Sequence, residues 1–264
     1  MSNLAQVSIE PGGGVANIVG VNQGQAQMGF SQAAPFVDGL NGNPPFQEKM
    51  ENIRYMLSLF PHKTHIVVLK DSGINSIEDI RGKRINVGTK GLLTEDLAAR
   101  ILKAYGMTYD DMGSVQNLSF ADSVEQMKDG RLDVLFWTVP VPFAVLTDLS
   151  QSKDMKLLPI PEDKRQELIK QNPGLVETVI EAGTYKGVDE DIPTIQSPLV
   201  MLAHKDAPEE LVYQTTKTVA EGLEELKAID PSLKPVQVED LPQDIGAPLH
   251  PGAERYFKEI GLIQ

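Results

Sequence analysis

The chain has 264 residues, and its 24 Lys and Arg against 37 Asp and Glu give a formal net charge of −13. With 41% hydrophobic and 23% charged residues, the composition is typical of a folded protein that buries a sizeable core in one large or two smaller domains. The absence of cysteine excludes disulfide frameworks, iron–sulfur clusters, thiolate zinc sites and cysteine nucleophiles.

The charge pattern argues against nucleic acid as a partner, because nucleic-acid affinity is built from clustered Lys and Arg and the sequence has no such cluster. Residues 188–264 hold 15 acidic and 6 basic residues, so −9 of the net charge lies there, as in a solvated acidic face. No run reaches the roughly 18 apolar residues that a membrane span requires. Residues 1–10 also lack the basic and apolar regions of a signal peptide.

Short apolar runs alternate with amphipathic segments along the chain, which is typical of βα units around a mostly parallel sheet. We predict strands at residues 6–10, 26–31, 64–70, 84–88, 132–138, 155–159 and 199–204.

Two of the intervening helices carry clear end signals. One begins at Glu95 behind Thr94 as its cap, and Gly106 ends it. The last long helix is capped by Asp206, and its apolar stripe continues to Leu226.

The fold class expected from this pattern is α/β with two lobes. Segments 64–70 and 194–204 can each carry the chain from one lobe to the other, which places residues 1–69 and 198–264 in the first lobe and 70–197 in the second. In such an architecture the cleft between the lobes, bounded by strand carboxyl ends and helix N-termini, is the expected ligand site.

A glycine-rich turn follows the first predicted strand. Gly12, Gly13 and Gly14 precede a helical stretch that contains Asn17, so backbone N–H groups can approach a ligand and the helix N-terminus favours an anion. The spacing matches neither a Walker A loop nor a dinucleotide fingerprint, and a plain flexible turn is the alternative.

A second strand–glycine–helix junction lies at residues 88–95. Here the Thr89 hydroxyl and the Gly91 N–H can face a ligand, whereas Glu95 in the first helical turn opposes a bound anion. A purely structural role, with Thr94 as the helix cap, is the alternative for this junction.

Polar and aromatic side chains end two further strands. Ser31 and Gln32 follow one, and Trp137 and Thr138 end another, although a tryptophan in a strand is more often part of the core. The His62-x-x-His65 pair has no neighbouring carboxylate ligand and is weak evidence for a metal, so we expect no metal and no cofactor.

Several of these segments resemble the TAXI-type solute receptors of tripartite (TRAP) transporters. The resemblance runs from about residue 7 to the C-terminus, and the most specific match is Leu-His-Pro-Gly-Ala-Glu-Arg-Tyr at 249–256. The other matching segments are Gly-Gly-Gly-Val-Ala-Asn at 12–17, in the position of a Gly-Gly-Ser-x-x-Asn turn, and residues 25–32, 76–87, 88–95 and 182–185.

The resemblance implies a type II periplasmic-binding-protein fold whose lobes close over a small carboxylated solute, an amino acid, oxo acid or dicarboxylate. It further implies a periplasmic location and delivery to a TRAP-type membrane permease. His250 and Arg255 are expected to be structural and to fix the last helix. The residues implied to bind the solute are Gly14, Asn17, Ser31, Gln32, Thr89, Gly91, Thr94, Trp137 and Thr138.

Two departures from the family pattern modify these expectations. Residues 91–95 read Gly-Leu-Leu-Thr-Glu where the family usually has Gly-Ser-Gly-Thr-Glu, so we expect binding to depend more on the first lobe and Thr89 than on this turn. The apolar first strand of the family also has no counterpart, so the chain is expected to lack the N-terminal part of its first lobe.

Two other classes of function remain open at this point. An enzyme on a similar two-lobed scaffold is disfavoured, because the sequence offers no nucleophile–base pair, metal cluster or cofactor-binding lysine motif. An effector-binding module of a regulator would share the fold but would need a helix-turn-helix domain, which the sequence does not contain.

Overall fold

The computed structural model describes residues 13–264, so the predicted strand at residues 6–10 and the glycine at position 12 lie outside the described part of the chain. None of the helices within residues 13–264 has the length and apolarity needed to cross a membrane. The nine α-helices described are α1 Gly14–Asn22, α2 Ala33–Asn41, α3 Leu93–Ala104, α4 Phe120–Lys128, α5 Ala144–Ser152, α6 Glu162–Gln171, α7 Glu209–Glu221, α8 Leu223–Ile229 and α9 Pro251–Glu259. The strands of the same part are β1 Met28–Gln32, β2 Ile53–Leu69, β3 Arg84–Asn86, β4 Ser114–Gln116, β5 Val134–Val139, β6 Met155–Leu157, β7 Val176–Ile180 and β8 Ile192–His204.

The chain divides into two compact units. Unit 1 contains the residues up to Phe60 together with Pro198–Gln264, and unit 2 is Pro61–Ser197. Both long strands, β2 and β8, continue from one unit into the other. The predicted two-lobed α/β fold with two crossover strands is therefore confirmed, while the lobe boundaries at residues 69 and 197 stay a prediction.

In unit 1, β1 pairs antiparallel with β8, with Ser31 opposite Val200. Helices α1 and α2 pack beside β1 and bury an apolar cluster that includes Ile18 and Phe36, neither of which is exposed to solvent. Burial of large aliphatic and aromatic side chains of this kind contributes roughly 1.5–3 kcal/mol each to folding. This cluster fixes the position of both helices relative to the end of β1.

A second apolar cluster of unit 1 lies under α7 and α9. His250 is the N-cap of α9, and its Nδ1 accepts a hydrogen bond from the backbone N–H of Gly252 at 3.2 Å. Arg255 binds Glu209 at 2.8 Å and Glu210 at 2.6 Å on α7. These contacts confirm the structural roles predicted for His250 and Arg255.

Unit 2 has a sheet of mixed direction. Strand β3 runs parallel to both β4 and β5, while β2 pairs antiparallel with β5 and β6, and β7 pairs antiparallel with β8. The prediction of a mostly parallel sheet is therefore wrong for the described strands. The prediction missed both β4, which has only three residues, and β7, whose apolar Val176 is separated from Val179 and Ile180 by two polar residues.

Helix ends also differ from the sequence pattern. The N-cap of α3 is Leu92, so Thr94 lies inside the helix and its predicted capping role is wrong. Asp206 does not cap α7, whose N-cap is Pro208 without a side-chain bond. The stripe to Leu226 is split at Gly222, where α7 stops and α8 begins.

A buried histidine ties two segments of unit 2 together. His65 Nδ1 donates to the Lys63 carbonyl at 2.9 Å, because that oxygen can only accept. His65 Nε2 then accepts from the Tyr185 hydroxyl at 3.1 Å, which itself accepts from the Phe143 N–H at 3.0 Å. The network holds a neutral ring, and burial lowers the pKa of His65 to about 4.

We predict that replacing Gly252 with Ala destabilises unit 1. A Cβ at this position would lie 2.7 Å from the backbone nitrogen of Tyr213, so α9 would have to move away from α7. Overpacking of this kind costs about 1–3 kcal/mol, which thermal unfolding measures as a lower Tm. Gly20→Ala is the matched control because its nearest neighbour would be Gln25 Oε1 at 3.8 Å. Equal Tm values for the two variants would contradict the packing described.

The free energy of unfolding should also decrease as the pH falls, in part because of His65. Its folded pKa of about 4 lies below the ordinary value of 6.5, so the unfolded chain binds more protons between these values. The free energy of unfolding therefore decreases as the pH falls below about 6.5, by up to ~1.4 kcal/mol per pH unit for this one group. Urea unfolding between pH 7 and pH 4 should show a shallower slope for His65→Gln than for the natural chain, and identical slopes would rule out this contribution.

Candidate functional site

Two helix N-termini meet the carboxyl end of β1 in unit 1. The N-cap of α1 is Gly13, the N-cap of α2 is Gln32, and neither makes a side-chain capping bond. The first turn of each helix also contains no acidic residue. Free N–H groups and the positive ends of two helix dipoles therefore lie near the same strand end, an arrangement that favours an anion.

Gly14 is the point of closest approach between α1 and β1. A Cβ at Gly14 would lie 2.9 Å from Gln32 Oε1 and 3.0 Å from Ser31 Oγ, so only glycine lets the helix start so close to these polar atoms. Asn17, one turn further along α1, donates from Nδ2 to the Phe30 carbonyl at 2.8 Å. The structure thus brings four of the predicted residues together, and the Asn17 amide holds the strand end in place.

Ser31 is the most informative side chain of this cluster. It is 1% exposed, and its Oγ has no hydrogen-bond partner within residues 13–264. Leaving a buried hydroxyl unsatisfied costs about 1–3 kcal/mol. The uncompensated hydroxyl beside Gly14 therefore indicates a position that a ligand atom or a water completes.

In unit 2 the predicted threonines form a chain of hydroxyl contacts. The Thr94 Oγ1 accepts from the backbone N–H of Thr138 at 3.2 Å, and the Thr138 hydroxyl lies 3.3 Å from that of Thr64. Thr94 and Thr138 are both buried. These contacts join α3 to β5 and use the Thr94 hydroxyl within the protein.

The turn before α3 already holds an acidic side chain. The Gly91 N–H donates to Glu95 Oε2 at 2.7 Å, and Asn117 donates to Glu95 Oε1 at 3.2 Å and to the Gly88 carbonyl at 2.8 Å. Thr89 and Gly91 are both exposed, but the Gly91 N–H is already bonded to an internal carboxylate, so Thr89 is the predicted residue of this turn whose polar group faces solvent. Sequence reasoning missed Asn117, whose only signal is that it follows a strand too short to be predicted.

Trp137 lies in the core of unit 2. It is fully buried and packs edge-on against the rings of Phe120 and Phe143, with centroids at 5.2 Å and 5.8 Å. Its packing matches the core alternative, and none of its surface is exposed to a ligand.

The histidines of the described segment do not assemble a metal site, since no group of three or more His, Asp or Glu side chains within residues 13–264 is placed to hold an ion. His65 instead uses both ring nitrogens in the network with Lys63 and Tyr185.

Comparison with known proteins places the chain in a family. The NMT1-like family matches residues 2–261. The arginine-binding extracellular protein ArtP of Bacillus subtilis (strain 168) is 25% identical over 134 residues, which cover 48% of this chain and 47% of the relative. This chain therefore spans about half the length of that curated relative.

Two solved structures extend the fold likeness over most of the chain. One, determined in work on glutathione import via GshT and the cystine ABC importer TcyBC of Streptococcus mutans, is 14% identical, has a TM-score of 0.52, and covers 90% of this chain and 81% of its own. The other, PhnD1 from Prochlorococcus marinus (MIT 9301) in complex with methylphosphonate, is 11% identical, has a TM-score of 0.50, and covers 97% of this chain and 86% of its own.

At such low sequence identities these structures show a similar fold and nothing more, whereas the family match covers nearly every residue. The chain belongs to the NMT1-like family and has the two-lobed α/β fold of type II periplasmic binding proteins.

Proposed function

We propose that the protein is an extracytoplasmic solute receptor that binds the acidic group of a small solute at the N-termini of α1 and α2. The observation that carries this proposal is the buried Ser31 hydroxyl, which has no partner and lies against Gly14 between two uncapped helix N-termini. A carboxylate at this position would accept from Ser31 and from free helix N–H groups, which are charge-assisted bonds of above-average strength.

The solute class follows from the chemistry of this site. The predicted carboxylated solutes, an amino acid, an oxo acid or a dicarboxylate, each carry the oxyanion that these donors fit. The relative ArtP is named for arginine, which also bears a carboxylate, and this supports the same class.

For delivery we propose a membrane importer and a periplasmic location. The motif resemblance to TAXI-type receptors supports a TRAP-type permease as the importer. The Streptococcus mutans structure was determined in work that names an ABC importer, which makes that transporter class the second candidate. Co-purification with the permease of either class would decide between them.

A binding role fits the site better than catalysis. Within residues 13–264 the Ser31 hydroxyl has no hydrogen bond to a histidine or carboxylate that could act as its base. The Thr94 hydroxyl accepts from the Thr138 N–H, and the Thr138 hydroxyl contacts that of Thr64. Neither of these partners is a histidine or carboxylate that could act as an activating base. We therefore propose no enzymatic activity, and turnover of a bound acid would favour the enzyme alternative.

The first test is a thermal-shift screen over amino acids, oxo acids and dicarboxylates. We expect Ser31→Ala to weaken binding of the best solute by about 10- to 100-fold, since a hydrogen bond to a charged group contributes about 1.5–3 kcal/mol. Gly14→Ala should weaken it further, because the added methyl group meets Ser31 Oγ at 3.0 Å.

Two variants control for this test. Gly20→Ala adds a methyl group to the same helix without a close contact, and Ser152→Ala removes an exposed hydroxyl from unit 2. Both should bind like the natural chain. Unchanged solute affinity in both Ser31→Ala and Gly14→Ala would exclude the site in unit 1.

The second test separates binding from stability. Thr94→Ala removes the acceptor of the Thr138 N–H and should lower the free energy of unfolding by about 1–3 kcal/mol, while solute affinity changes less than in Ser31→Ala. Ser31→Ala should leave the stability of the solute-free protein unchanged or raise it, because it removes an unsatisfied hydroxyl. Calorimetry of both variants measures the two effects. Tight glutamate binding that is lost in Thr94→Ala but kept in Ser31→Ala would contradict the assignment.

A further inference from the structure

Unit 2 buries three side-chain donors that no hydrogen bond satisfies within residues 13–264. They are Asn86 Nδ2, Trp137 Nε1 and Arg165 Nε, of which Arg165 Nε lies 3.4 Å from Glu177 Oε1 in an ion pair. Asn86 and Trp137 are both 0% exposed, and neither Asn86 Nδ2 nor Trp137 Nε1 has a hydrogen-bond partner within residues 13–264. Buried donors of this kind are rare in folded proteins and usually bind a water or ligand atom. They lie outside the site proposed for unit 1.

The orientation of the Asn86 amide is fixed by its other atom. Asn86 Oδ1 accepts from the backbone N–H of Leu118 at 2.8 Å. Exchanging the amide oxygen and nitrogen would set the NH₂ group against that N–H, donor against donor, so this orientation is excluded and the unsatisfied atom is the Nδ2 donor. The Asn86 Nδ2 group therefore lacks a hydrogen-bond acceptor.

The strand register puts both donors on one face of the sheet. Strands β3 and β5 are parallel, with Asn86 paired to Leu135. Paired residues of neighbouring strands share a face, and so do residues two apart along a strand, so the side chain of Trp137 lies on the same face as that of Asn86. Both residues are at or near the carboxyl ends of their strands.

The rings and aliphatic side chains that pack around the indole carry no oxygen acceptor. Phe120 and Phe143 pack edge-on against Trp137 and also contact each other, with centroids 5.0 Å apart. Leu135 and Leu146 belong to the same buried apolar cluster. An acceptor for the indole N–H must therefore come from outside this set of side chains.

We propose that Asn86 Nδ2 and Trp137 Nε1 together hold one oxygen atom that is not part of the chain. That atom belongs either to an enclosed water or to the acid group of a solute, since both supply the same acceptor chemistry. The site does not depend on the function proposed for unit 1.

The chain has one tryptophan, so its indole N–H gives a single, self-assigned resonance in a ¹H–¹⁵N spectrum. We expect this proton at a downfield, hydrogen-bonded shift, with a cross-peak to water in the solute-free protein. An upfield, ring-shifted proton without a water cross-peak would show that the indole N–H points at the face of Phe120 or Phe143 instead, and would overturn the proposal.

Variants at Asn86 test whether the oxygen is shared. Asn86→Asp removes the donor but keeps an acceptor for Leu118, and Asn86→Ala removes both. In either variant that still unfolds cooperatively, the indole resonance should move and its water cross-peak should weaken. The exposed Asn75→Ala is the control and should leave the resonance in place. If the indole resonance keeps its position in a folded Asn86 variant, the shared oxygen is refuted. If neither variant folds, the spectrum of the natural chain decides.

Titration with acetate and with methanesulfonate distinguishes the two sources of the oxygen. A saturable shift of the indole resonance together with loss of the water cross-peak assigns the oxygen to the acid. A resonance that keeps its position and its water cross-peak at saturating acid assigns it to an enclosed water. The Ser31→Ala protein, titrated in parallel, separates this site from the one in unit 1, because its indole response should equal that of the natural chain.

Discussion

The candidate site in unit 1 depends on the missing side chain of Gly14. Because no Cβ stands there, α1 begins within contact distance of Ser31 and Gln32, and the N-termini of α1 and α2 reach the same strand end. The apolar cluster around Ile18 and Phe36 holds this approach from behind. A larger residue would separate the helix from the strand and would leave the Ser31 hydroxyl with ordinary solvent as its neighbour.

The helix starts of the two units differ in whether an acidic side chain of the protein occupies them. The first turns of α1 and α2 carry no acidic residue, so their dipoles are available to an external anion. At α3 the Glu95 carboxylate already binds the Gly91 N–H, and Asn117 secures it there. This internal hydrogen bond between a backbone N–H and a carboxylate stabilises the turn and occupies the donor that an anionic solute would need. Glycine and a helix start therefore do not by themselves make a binding site.

The sequence could predict features that depend on local pattern. The two crossover strands and the polar ends of β1 and β5 follow from apolar runs and end signals. The structural roles of His250 and Arg255 follow from the family resemblance instead. Features that depend on distant contacts could not be predicted. Thr94 resembles a cap until its hydroxyl is seen to hold the Thr138 N–H, 44 residues away. The hydrogen bond from the Gly91 N–H likewise depends on the conformation of the Glu95 side chain, which the pattern of apolar residues does not predict. The ligand-binding role of the predicted residues stays a prediction.

The position of Trp137 means that only unit 2 carries a tryptophan fluorophore. The chain's single indole lies among apolar rings of unit 2, and unit 1 contains none within its described residues. Tryptophan emission therefore follows the unfolding of unit 2 alone, whereas far-ultraviolet circular dichroism follows the helices of both units. Coincidence of the two signals is the standard criterion for a single cooperative transition. The one indole thus makes it measurable, without any label, whether the two units unfold together.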